Sequence, residues 1–199
     1  MSKVAIKGNA SGTGTFTLEA PNSNTDRTLT LPDEVGTVLT SGGSHLMVDT
    51  WYLTSGVTHS TTTTNLGADD SSSWTRQTSY GSLGSPMSVS DADFTFPQTG
   101  VYRITFAGGG VADSADPTLR LEILVDTGSG YSAFVYNYFS HDSSTDNNYG
   151  NTLNGIVAVP NTSTTQVKFR ITSATGSTTY GGQDPMITYV IFERLGDVS

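Results

Sequence analysis

Side chains able to do chemistry are sparse in this sequence, and their spacing favours binding over catalysis. The three histidines, His45, His59 and His141, stand far apart. Ser140-His141-Asp142 contains the residue types of a hydrolase triad. Triad groups must face one another across a cleft, which chain neighbours cannot do. Paired carboxylates flanking a groove would mark a polysaccharide-cleaving enzyme. The acidic residues here fall in turn-like stretches and strand ends, with no recognisable pairing. No catalytic residue is assigned. Cysteine is absent, which removes thiolate nucleophiles, disulfides and thiolate metal sites. Gly8-Asn9-Ala10-Ser11-Gly12-Thr13-Gly14 is glycine-rich but has no Gly-Lys-Ser/Thr ending and no helix signal after it, so it reads as a turn and not a phosphate loop.

The stretch from His141 to Tyr149 gathers oxygen-bearing side chains between two aromatic runs and reads as a long polar loop. Asp142, Asp146, Asn147 and Asn148 could hydrogen-bond a sugar or a protein partner, and Tyr149 could offer a stacking face. Asp142 and Asp146 are also the candidate ligands for Ca2+, which takes roughly six to eight oxygens. Asp69, Asp70, Asp91 and Asp93 stand behind them. The spacing is not that of an EF-hand, and a solvated loop is the plainer reading. No other cofactor is expected. Upstream lies an aromatic run, Tyr131, Phe134, Tyr136, Tyr138 and Phe139. A period of two puts Phe134, Tyr136 and Tyr138 on one face, in the core or at a subunit interface.

Those residues must be positioned by strands. No stretch repeats apolar residues at helical spacing over three turns. Tyr102, Ile104 and Phe106 alternate with Arg103 and Thr105. Leu119, Leu121, Ile123 and Val125 alternate with Arg120 and Glu122. Val167, Phe169 and Ile171 alternate with Lys168 and Arg170. In the segment Met186 to Arg194, Ile187, Tyr189 and Ile191 oppose Val190 and Phe192, so the strand is apolar on both faces. Such a strand is covered on both, one face meeting the core and the other a neighbouring subunit. Tyr102, Ile104, Phe106, Phe169, Tyr189, Val190 and Phe192 are therefore assigned to core or interface. Turn signals include Gly108-Gly109-Gly110, Asp126 to Gly130, Pro160 to Ser163, Thr175 to Ser177 and Gly181 to Pro185.

Composition bounds the rest. Only 35% of the residues are hydrophobic and 22 are glycine, so apolar surface is scarce for 199 residues. Disorder is disfavoured because charged residues make up only 14% and aromatics 10%. Short strands whose burial is completed between subunits fit better. The net charge of −9 and the scattered Lys and Arg argue against partnership with nucleic acid or an anionic membrane. The opening MSKVAIKGNASG carries no apolar signal core, and no apolar run approaches the ~18 residues of a membrane span. Synthesis in a cytoplasm without export is expected.

Residues 1–40 hold very short strand signals around 4–6, 15–18, 28–31 and 37–39, with too little apolar volume to close a core unaided. They read as a module that needs a partner. Residues 41–46 read as a linker, and residues 47–199 as the main domain.

Two segments carry a family resemblance. Ile6 to Leu18, with Ala20-Pro21-Asn22, Arg27 to Asp33 and Gly36 to Leu39, resembles an N-terminal module of phage fibre and virion structural proteins. Asp49 to Thr54, Phe94-Thr95-Phe96-Pro97-Gln98-Thr99-Gly100-Val101-Tyr102-Arg103-Ile104 and Thr188 to Asp197 resemble the opening, central and closing strands of C1q-like domains found in marine phage proteins. The resemblance implies an all-β fold, a jelly roll of about ten strands that trimerises about a threefold axis. No collagen-like stalk is present, which favours a short knob.

The expected protein is thus a non-enzymatic virion component. It would be a homotrimeric short fibre, spike or capsid decoration that docks on other capsid or tail proteins through residues 1–40. Alternatives are a tail-fibre adhesin for a host surface glycan, a polysaccharide-degrading tailspike, and a secreted C1q-like ligand-binding module.

Overall fold

In a computed structural model the described residues are 11–15, 17, 22, 24–26, 28, 46–59, 63–68, 73–112, 116–141, 147–173, 177–179 and 186–198. The chain divides into two units, Met1–Val38 and Leu39–Ser199. In the first, the described residues are exposed turn, bend and coil positions. Thr15, Thr17 and Thr28 lie in no strand, and the rest of the short strands expected in residues 1–40 lies outside the described residues, as does most of the 41–46 linker.

The second unit is all-β among its described residues. In chain order its strands are β1 (Met47–Leu53), β2 (Val57–His59), β3 (Thr63–Asn65), β4 (Trp74–Arg76), β5 (Ser88–Ser90), β6 (Asp93–Thr95) and β7 (Gly100–Ala112). There follow β8 (Asp116–Thr127), β9 (Ser132–His141), β10 (Asn147–Val159), β11 (Thr165–Thr172), β12 (Ser177–Thr179) and β13 (Tyr189–Gly196). The first sheet has seven strands in the order β2-β12-β7-β13-β1-β4, with β10 also paired to β7. The second has six, β5-β6-β11-β8-β9, with β3 also paired to β11. Every named pairing is antiparallel, and many join segments far apart in sequence, such as β1 with β13 and β7 with β10.

The alternation read from the sequence decides which side chains turn inward. Tyr102, Ile104, Phe106, Phe169, Val190 and Phe192 are fully buried between the sheets. Along β11 buried and half-buried residues alternate without a break. The centre of the core is an aromatic cluster drawn from both sheets. The Phe94 ring lies 5.5 Å from Trp51, 5.6 Å from Phe169 and 5.1 Å from Phe192. Tilted and edge-on ring pairs of this kind add to simple area burial. Tyr102 keeps its hydroxyl satisfied at the core margin by donating to the Gln98 carbonyl at 2.8 Å.

Two expectations fail here. Gly108-Gly109-Gly110 does not turn the chain but lies inside β7, paired to β10 throughout. Glycine is needed for close approach: a Cβ at Gly108 would stand 3.0 Å from Leu121 Cδ1, and one at Gly109 would stand 2.9 Å from Ile187 Cγ2. The strand total among the described residues is also higher than the ten of the resemblance, because several three-residue strands (β2, β3, β5, β12) add to the long ones.

Candidate functional site

The two sheets leave two outer faces, and each holds a group of side chains suited to contact. On the second sheet, register places Arg120 opposite Tyr138 and Glu122 opposite Tyr136, with Arg170 opposite Glu122 on the other side. Five side chains thus meet on one face. Glu122 is fully buried. Arg170 donates to it twice, Nε to Oε1 at 3.0 Å and Nη2 to Oε2 at 2.6 Å. Thr172 adds its hydroxyl at 3.1 Å, and Arg120 Nη2 lies 2.7 Å from Oε1. Burial pushes the Glu122 carboxyl up, but hydrogen bonds and charge from Arg170 and then Arg120 outweigh it and hold the group below its ordinary value.

Arg120 is the link to the aromatics. Its Nη1 donates to the Tyr138 hydroxyl at 3.0 Å. Its guanidinium carbon lies 5.2 Å from the centre of the Tyr136 ring and 5.3 Å from that of Tyr138, within cation–π range. The two rings stand edge to face, 5.6 Å apart. They are 52% and 56% exposed.

The sequence assigned Phe134, Tyr136 and Tyr138 to one face, in the core or at an interface. Tyr136 and Tyr138 do share a face, but it is the outer one, so they are not core. Phe134 leaves the alternation because β9 carries a bulge: Val135 pairs with Ile123 and Ala133 with Leu124, which makes Phe134 the extra residue. Its ring lies over Gly155 of β10, where a Cβ would be 2.5 Å from Phe134 Cε1. Phe134 thus closes the gap between the edges of the two sheets while remaining 40% exposed.

The outer face of the first sheet is less charged. Register aligns Tyr52 with Tyr189, Thr50 with Ile191, Ile191 with Thr105, and Arg103 with both Glu193 and Ile156. Val190 and Phe192 take the core side of β13, so Tyr189 and Ile191 are half-buried on the other. Tyr189 accordingly belongs to the outer face and not to the core. Ile156 is 58% exposed. The polar groups there are paired among themselves: Arg103 with Glu193 at 3.3 Å, and the Thr105 hydroxyl donating to Asn154 at 2.7 Å. A shallow depression of about 450 Å3 is lined by Arg103, Asn154, Gly155 and Ile156.

The loop favoured from sequence is rearranged. β9 continues to His141 and β10 begins at Asn147, so strand occupies both ends of the expected 141–149 loop. Asp142 and Asp146 lie outside the described residues. Asn147 pairs with Ala112 and Asn148 with Val111 through the backbone, and Asn148 is exposed. Tyr149 is no exposed stacking face: it is 8% exposed and packs against Phe139 at 5.5 Å between ring centres. Its position opposite Gly110 in the β7–β10 ladder turns it inward, an orientation set by a partner strand far away in sequence. Among the other carboxylates, Asp93 pairs with Lys168 at 3.3 Å, and Asp91 occupies the β5–β6 turn with a φ of 54°. Asp69 and Asp70 lie outside the described residues. Among the described residues no three His, Asp or Glu side chains come close enough to hold a metal ion.

Sequence reasoning missed the Arg120–Glu122–Arg170 cluster. Its signal was present as the polar half of two alternating strands, but only the β8–β11 and β8–β9 registers bring those halves together.

No protein-family model matches the chain, and no curated protein matches it in sequence. Solved structures do share the fold. A TNF protein, Eiger, from S. frugiperda superposes with a TM-score of 0.59 at 11% identity, covering 77% of this chain and 95% of that one. Murine APRIL at pH 8.0 gives 0.55 at 10% identity, covering 75% and 99%, and at pH 5.0 it gives 0.54 at 12% over the same shares. At such identities the likeness defines the fold alone. The main domain is a C1q/TNF-like jelly-roll sandwich, as expected from the sequence.

Proposed function

We propose that this chain is a non-enzymatic structural protein of a bacteriophage particle, a homotrimer that docks through residues 1–40 and displays its jelly roll as a short fibre, spike or capsid decoration. The observation that carries the proposal is the outer face of the first sheet. Tyr189, Ile191 and Ile156 face outward there although apolar residues are scarce in the chain, and the charges among them are already paired. Apolar surface of this kind is an asset only when a partner covers it. A second copy of the same chain is the partner that the C1q-like resemblance implies. Virion membership is drawn from the likeness of residues 4–40 to phage structural modules.

The mechanism is binding. Three copies on one axis present three identical contact surfaces, so weak single contacts sum to useful avidity. Sedimentation velocity on the purified chain tests the assembly, with a trimer expected; a stable folded monomer at micromolar concentration overturns it. Labelled virions imaged with and without residues 1–40 test the docking role, and the truncated chain should not join the particle. A second reading, a tail adhesin for a host surface glycan, is favoured by the exposed Tyr136 and Tyr138 pair.

A further inference from the structure

We infer that the outer face of the second sheet, centred on Arg120, Tyr136 and Tyr138, binds a carboxylate-bearing saccharide. The inference rests on the adhesin reading and gives it a location and a ligand class. Of the 142–149 loop expected from the sequence, Tyr149 is buried and residues 142–146 lie outside the described residues.

Three features of the face point to this ligand. The first is aromatic. Tyr136 and Tyr138 are more than half exposed while standing on a strand of a paired sheet, so both are presented without the ordering cost of a mobile loop. Exposed tyrosines offer an apolar ring to the C–H face of a sugar and a hydroxyl to its oxygens. The second feature is charge. Two guanidiniums, Arg120 and Arg170, surround the single Glu122 carboxylate, which leaves one positive charge on this patch of a chain whose net charge is −9. An anion therefore meets a favourable spot in an otherwise repelling molecule. The third feature is spare donor capacity. Arg120 uses one N–H of Nη1 on Tyr138 and one of Nη2 on Glu122, so each of these nitrogens has a second N–H to offer, while Nε is buried and out of a ligand's reach. A guanidinium fork matches the planar carboxylate of an acidic sugar. Arg170 already spends Nε and Nη2 on Glu122, which fixes the carboxylate and so fixes Arg120 between the two rings.

Binding of the full-length protein to an array of uronic-acid and sialic-acid saccharides, with neutral and sulfated counterparts, tests the inference. Carboxylate-bearing saccharides should be retained over neutral ones, and less so as salt rises. Tyr136→Ala and Tyr138→Ala should each weaken that binding at least tenfold, as expected for anchors of a contact. Arg120→Lys should keep the fold and lose most of the preference for the charged sugar. Retention of no carboxylate-bearing saccharide, or equal retention of neutral ones, overturns the inference. So does dissociation of the assembly by Tyr136→Ala, which would make this face a subunit contact. Sedimentation of the wild-type chain separates the two levels: a trimer that binds no acidic saccharide removes this inference alone, while a monomer removes the multivalent function.

Discussion

Arg170 meets Glu122 from the neighbouring strand through two parallel hydrogen bonds, at 3.0 and 2.6 Å, and in doing so makes a wholly buried carboxylate tolerable on a sheet face. A lone buried carboxylate would neutralise or unfold its surroundings.

Removing the pair's cationic half should expose that cost. Arg170→Ala should destabilise by about 2–3 kcal/mol, less than the roughly 3–5 of a wholly buried pair because Arg170 is partly exposed to solvent. The pH dependence follows from the direction of the shift. The folded-state carboxyl lies below its ordinary value of 4.5, so its contribution is fully present above that value and is lost as pH falls through the lower, folded one. Thermal melting between neutral pH and about pH 3 should show a decline that is shallower in Glu122→Gln. Parallel profiles for wild type and Glu122→Gln would show that the ion cluster contributes nothing to acid sensitivity.

Phe106 and Phe169 contact each other across the sandwich, with ring centres 4.9 Å apart and both side chains fully buried. Phe106→Ala and Phe169→Ala should each cost about 3–5 kcal/mol. The double variant should lose less than the total of the two, since one truncation already empties part of the site of the other. Denaturant melts check this, and losses below ~1 kcal/mol at both positions would place the core elsewhere.

The core was legible in the sequence because one-sided burial writes itself as alternation. Val167, Phe169 and Ile171 on β11 and Leu119, Leu121 and Ile123 on β8 are all fully buried. Alternation says which residues share a face but not which face is inside, and so the sequence grouped Tyr136 and Tyr138 correctly but left core and subunit interface both open; their exposure removes the core. Long-range register is silent in a single sequence. The inward turn of Tyr149, the strand role of Gly108 to Gly110 and the meeting of Arg170 with Glu122 all depend on partners found only in the folded sheets.

Glycine in β7 and β10 offers a paired test. Gly108 faces Leu121, fully buried and unable to retreat, so Gly108→Val should cost about 1–3 kcal/mol by overpacking. Gly150 on β10 has nothing nearer than 4.0 Å, so Gly150→Thr should be neutral or slightly stabilising through strand propensity. Equal effects in melting experiments would contradict close approach as the reason for glycine in β7.

Assembly should run through the outer face of the first sheet. Val190 and Phe192 commit one side of β13 to the core, while Tyr189 and Ile191 carry apolar surface on the other, with Tyr52 opposite Tyr189 on β1. Ile156 on β10 extends the same face past Arg103. An aspartate at Ile156 or Ile191 adds no strain in the protomer, because both side chains point away from the core, but it places a charge where an apolar partner would have to desolvate it. If three copies meet on this face, the wild-type melting temperature should rise with protein concentration, since assembly stabilises the fold by mass action. Ile156→Asp and Ile191→Asp should abolish that concentration dependence and sediment as folded monomers with an unchanged β-sheet circular dichroism spectrum. Tyr136→Ser, on the opposite sheet, should leave the trimer intact. A trimer that survives both aspartate substitutions with its concentration dependence unaltered would mean that this face lies open in the assembly and that the subunits join elsewhere.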